Sequence, residues 1–69
     1  MPDDHIRFND HPLPCPDGLT LAALLLTQHV PAERVATAVN ARFVPREARA
    51  TTPLQPGDVV TTFEAITGG

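Results

Sequence analysis

Polar and apolar positions follow two different periods along this chain. In "HIRFND", Ile6 and Phe8 fall on one side and His5, Arg7 and Asn9 on the other. That is the period-2 pattern of a half-buried strand, with Asp10 and His11 placed to turn it. The next stretch, "HPLPCPDGLT", alternates Pro12, Pro14 and Pro16 with Leu13 and Cys15. Proline has no N–H, but alternate residues of a strand direct their N–H groups to the same edge, so only one edge loses its donors. The segment predicts an edge strand that pairs with residues 6–9 and offers little to another chain on its free side.

The period then lengthens. In "DGLTLAALLLTQHVP", Asp17 and Gly18 break the strand, Thr20 can accept a hydrogen bond at a helix N-terminus, and Leu21, Leu24 and Leu25 share a helical face. Pro31 biases Val30 away from helix, which predicts an end near His29. Residues 35–39 are a mainly apolar run of strand length, and "NAR" follows as a turn in which Asn40 tolerates a left-handed conformation. Phe43 and Val44 start a short return strand that Pro45 closes, and residues 46–53 are irregular, with room for one short helical turn. Pro56, Gly57 and Asp58 turn the chain into a last strand, from Val59 to about Ile66.

A helix laid across one face of a sheet in this order would bury Ile6, Phe8, Leu21, Leu24, Leu25, Val39, Leu54 and part of the last strand. The expected fold class is therefore α+β: a ubiquitin-like β-grasp, with a mixed sheet of about five strands and one main helix packed on one face. Residues 1–66 form the expected single domain, and Thr67, Gly68 and Gly69 a flexible tail that a central last strand would anchor at one end.

Composition narrows the function classes. A chain of 69 residues has room for one domain, which at this size buries only about 60% of its unfolded surface and leaves little space for a deep pocket. A net charge of -3 argues against nucleic acid or an anionic membrane as partner. All the basic residues are arginines, so the chain has no lysine through which copies of itself could be linked. A lone Cys15 excludes an internal disulfide framework and the usual zinc sites, and fits a reducing, cytoplasmic compartment. The start, "MPDDHIRF", is acidic and lacks the apolar core of a secretory signal, and no run reaches transmembrane length. The 8 prolines punctuate loops of a folded domain, because the 42% apolar residues fall in periodic patches.

Candidate chemistry concentrates in "FEAITGG". A carboxylate resists nucleophiles until its oxygen becomes a better leaving group, for instance by adenylation. Glycine suits a chain end that enters another protein's active site, since a backbone without side chains threads a narrow channel. Ile66, where the strand leaves the domain, is the expected apolar contact with such a partner. Elsewhere, Cys15 reads as a small hydrophobe on the inward face of the second strand. His5, His11 and His29 lack metal-site spacing, so no metal is expected. Arg42, Arg46 and Arg49 form the basic cluster, either solvated loop charge or a patch that steers docking. No nucleophile, base and orienter can be assembled, which leaves no candidate catalytic residue.

"TLAALL", "VNARFVPRE", "LQPGDVV" and the closing "GG", in that order and at these distances, resemble the ThiS family, the sulfur carriers of thiamine biosynthesis. The resemblance runs from Ile6 to Gly69. It departs from the family's usual pattern at Arg49, where a bulkier aromatic or a histidine is common, and in the proline-rich second strand. It implies a protein co-substrate that is monomeric when free and binds no cofactor. An E1-like adenylating enzyme would consume ATP to activate the Gly69 carboxylate, a sulfur donor protein would leave a thiocarboxylate, and thiazole synthase would accept the sulfur. Ile66, Thr67 and Gly68 would thread the partner. The small subunit of molybdopterin synthase shares such a tail, and a ubiquitin-like protein modifier or a plain binding module are the remaining readings.

Overall fold

Two tight turns built on asparagine organise the sheet. The computed structural model describes residues 4–64. Strand β1 (His5–Phe8) turns through Asn9 and Asp10, at φ 49° and 71°, into β2 (His11–Pro14). Strand β3 (Val35–Val39) turns through Asn40 and Ala41, at φ 52° and 68°, into β4 (Arg42–Val44). Two consecutive left-handed residues are what a two-residue hairpin of type I′ requires, and asparagine is among the side chains that tolerate it best. The first turn thus falls one residue earlier than the sequence suggested, because His11 already pairs with Phe8 in the ladder.

Strand β5 (Val59–Glu64) lies at the centre of the sheet, in the order β2-β1-β5-β3-β4. It runs parallel to β1 and antiparallel to β3. Both turn asparagines fasten it. Asn9 accepts from the Thr62 N–H at 2.9 Å and donates to Thr62 Oγ1 at 2.9 Å, while Asn40 Oδ1 accepts from the Val59 N–H at 3.0 Å. Asn40 also donates to Asp58 Oδ1, and Asp58 Oδ2 accepts from the Gln55 N–H. Asp58 therefore closes the turn in which Gly57, at φ 93°, supplies the left-handed position that follows Pro56 in a type II turn.

The proline-rich β2 is an edge strand, as its sequence predicts. The Cys15 N–H donates to the Asp4 carbonyl at 2.9 Å, so the odd positions face β1 and the prolines turn their missing donors to the free edge.

Helix α1 (Leu21–Thr27) packs on one face of this sheet. Thr20 caps it by accepting from the Ala23 N–H at 3.2 Å. The helix ends at Thr27 with Gln28 as its C-cap, near His29 as expected, but the stop is made by His29 itself, left-handed at φ 56°, before Pro31 can act. Leu21, Leu24 and Leu25 meet Ile6, Phe8, Val44, Leu54 and Val60 in the core. Val39, expected in that core, is only partly buried at its margin, and Val44 takes the deeper place. Cys15 is buried against the same core, its thiol donating to the Leu54 carbonyl at 3.6 Å. Burial, together with Asp58 and Asp17, pushes that thiol up from 9.0.

A short 3-10 helix (Arg46–Thr51) fills the irregular stretch, and its Arg49 overturns the surface reading. The side chain is 4% exposed. Its guanidinium donates to Thr37 Oγ1 at 3.2 Å, to the Ala32 carbonyl at 2.8 Å and to the Val35 carbonyl at 2.6 Å. Burial, and the neighbouring charge of Arg46, hold its pKa below the ordinary arginine value. Arg49 ties the loop before β3 to the 3-10 helix and cannot belong to an exposed basic cluster, whereas Arg42 and Arg46 remain exposed.

Candidate functional site

With the helix on one face only, register decides what the other face shows. Val60 and Phe8 point to the helix, so their neighbours Val59 and Arg7 point away. Val44 points to the helix opposite Thr37, which places Phe43 and its partner Ala38 on the open side. Ala38 also faces Thr61, and Ala36 faces Phe63. The open face therefore carries Phe43, 69% exposed, Phe63, 54% exposed, and Val59, 41% exposed, around two alanines. Large apolar side chains gathered on one exposed face mark a docking surface more often than a structural need.

Arg7 is exposed on the same face and no carboxylate shares it among the residues placed there by register. The surface offers an apolar centre with a cation at its edge.

This face is built on the strand that leads to the C-terminus. Phe63 is next to the last described residue, Glu64, which is exposed. Ile66, Thr67, Gly68 and Gly69, the residues expected to thread a partner and to carry the reactive carboxylate, lie outside the described residues, as does the part of the last strand expected beyond Glu64 and the boundary at residue 66. Sequence reasoning named the tail and missed the two phenylalanines. The signal was available: once Val60 is assigned inward, alternation sends Phe63 outward, and Val44 inward does the same for Phe43.

Among the described residues, no group of three or more His, Cys, Asp or Glu side chains could hold a metal ion. None of their helices is long and apolar enough to cross a membrane. The buried, proton-retaining Cys15 has the wrong environment for a nucleophile.

Comparison with known proteins gives this arrangement a context. The model of the ThiS family matches residues 6–69, so the match includes the Gly68-Gly69 end. The sulfur carrier protein ThiS of Escherichia coli strain K12 is 38% identical over 64 residues, which is 93% of this chain and 97% of that protein. The crystal structure of the thiamine biosynthesis protein ThiS from Geobacter metallireducens superposes with a TM-score of 0.79 at 30% identity, covering 94% of this chain and 99% of that one. That neighbour has the same β-grasp, a mixed five-strand sheet under one main helix. Matched by the family model from the first inward residue of β1 to the last glycine, and by relatives over nearly their whole length, the chain belongs to the ThiS family.

Proposed function

We propose that this protein is a sulfur carrier for thiazole formation in thiamine biosynthesis, and that its reactive group is the Gly69 carboxylate. The single observation that carries the reading is the family match extending through Gly68 and Gly69 on a chain 38% identical to a curated sulfur carrier. The chain acts as co-substrate rather than catalyst. Its partner, an E1-like adenylating enzyme, joins the carboxylate to the AMP portion of ATP and releases pyrophosphate. Sulfide from a sulfur donor protein attacks the acyl carbon, AMP leaves with the original oxygen, and a thiocarboxylate remains. Thiazole synthase then takes the sulfur, and the tail returns as carboxylate. ATP is consumed by the partner, and the carrier itself holds no cofactor. A cytoplasmic carrier is consistent with the lone Cys15, which fits a reducing compartment.

The open sheet face supplies the docking surface in this scheme. Phe43 and Phe63 anchor the partner beside the exit of β5, and Arg7 meets a carboxylate at its rim. Ile66, Thr67 and Gly68 span from that anchor to the reacting carbon.

Intact mass spectrometry tests the reading. The full chain is incubated with an adenylating enzyme already shown to act on another carrier, ATP and sulfide, beside a variant lacking Gly69. Gain of the mass of one sulfur less one oxygen, mapped to Gly69 and absent from the truncated chain, is the expected result. An unchanged full-length mass with the active enzyme overturns it.

A further inference from the structure

A groove on the helix side of the sheet has no part in this scheme. It lies between α1 and the 3-10 helix, has a volume of about 260 Å³, and is walled by Ala22, Leu25, Leu26, Ala32 and Ala50 with Arg46 and Arg49 beside them. Leu26 is 77% exposed, a large aliphatic side chain held in water on a helix whose other leucines are buried.

The charge of the groove is as unusual as its apolarity. Buried ions are ordinarily paired with an opposite charge. The oxygens that receive hydrogen bonds from Arg49 are two backbone carbonyls and a hydroxyl, all neutral. Those bonds occupy one donor on each nitrogen, and a guanidinium has five N–H groups in all. Arg46 donates to another neutral oxygen, the Glu33 carbonyl, at 3.0 Å. The side chains of both arginines thus border one apolar groove without a carboxylate among these partners. Arg49 is buried and turned to the loop before β3, and Arg46, exposed at the rim, is the cation open to an anion.

Size narrows the occupant. Pockets for small ligands and cofactors run from about 300 to 1,000 Å³, and this groove, at about 260 Å³, sits at the bottom of that scale, with room for one or two aliphatic side chains. We propose that the groove is a second docking site, for a partner-protein segment that presents aliphatic side chains next to a carboxylate. Because α1 covers the face opposite Phe43 and Phe63, such a segment binds while the open face is occupied. The inference does not depend on the chemistry of Gly69.

An NMR titration of the isotope-labelled full chain tests it, with the peptide acetyl-Ala-Leu-Leu-Glu-Ala-amide as probe and its Gln-for-Glu counterpart as control. The expected result is saturable shifts confined to the methyl groups of Ala22, Leu25, Leu26, Ala32 and Ala50 and to the Arg46 Nε–H. The Glu peptide should bind about tenfold more tightly than the Gln peptide. Leu26→Glu and Arg46→Glu, both at exposed positions, should each weaken it at least several-fold with the rest of the spectrum intact, and Phe43→Ala should leave it unchanged. Absence of saturable shifts at millimolar peptide, equal affinity for the two peptides, or shifts centred on Phe43 and Phe63 would each overturn the proposal.

Discussion

The two faces of the sheet use the same kinds of residue for opposite ends. On the helix side Ile6, Phe8 and Val60 are buried, with Val60 at 0% exposure, whereas on the open side Phe43 and Phe63 are more than half exposed. Neither hydrophobicity nor β-propensity distinguishes a phenylalanine at position 8 from one at position 63. The difference is which face the helix covers, and it separates side chains that hold the domain together from side chains left in water.

The contrast should break most visibly from inside. Leu24→Ala opens a cavity under the helix and should cost about 2–5 kcal/mol, read as a fall in the urea midpoint. Arg49→Ala should follow, at about 1.5–3 kcal/mol, because it strands the oxygens that the guanidinium satisfies, and exchange of amides in residues 32–37 should quicken with it. Asn40→Ala removes the clasp on Val59 and forces another side chain to hold a positive φ, for about 1–2 kcal/mol by the same denaturation.

A smaller effect should appear with pH. The chain has no lysine or tyrosine, so Cys15 is the side chain whose ordinary pKa of 9.0 falls within the mildly alkaline range. Its folded pKa is raised, so the unfolded chain releases the proton first. Stability is then complete below the ordinary thiol pKa and declines above it, by at most about 1.4 kcal/mol per pH unit. Cys15→Ala should remove that decline between about pH 8 and pH 10.

The smallest change in stability, within about 0.5 kcal/mol, is expected for Phe43→Ser with Phe63→Ser on the open face. The same pair should weaken binding to the adenylating enzyme by about tenfold or more, measured by calorimetry. A large loss of stability without loss of binding would erase the distinction between the faces.

Much of this was legible from local chemistry. The alternation in "HIRFND" located β1, the spacing of Leu21, Leu24 and Leu25 located the helix, and parity in "HPLPCP" assigned β2 to an edge. Arg49 was not, because an arginine grouped in sequence with Arg42 and Arg46 looks solvated until the fold brings the Ala32 and Val35 carbonyls to it. The open face was half legible: alternation separates the sides of each strand, but only the register between strands gathers Phe43 and Phe63 onto one surface.

The central position of β5 also has a mechanical consequence. If a partner draws the C-terminal end into a channel, as proposed above, it would pull along this strand, which is bonded on both sides and clasped by Asn9 and Asn40. Against its parallel neighbour β1, such a pull is a shear, in which the ladder bonds share the load instead of parting one after another. The strand nearest the tail is thus the one that resists traction best, and force applied at the chain end is borne by the middle of the sheet.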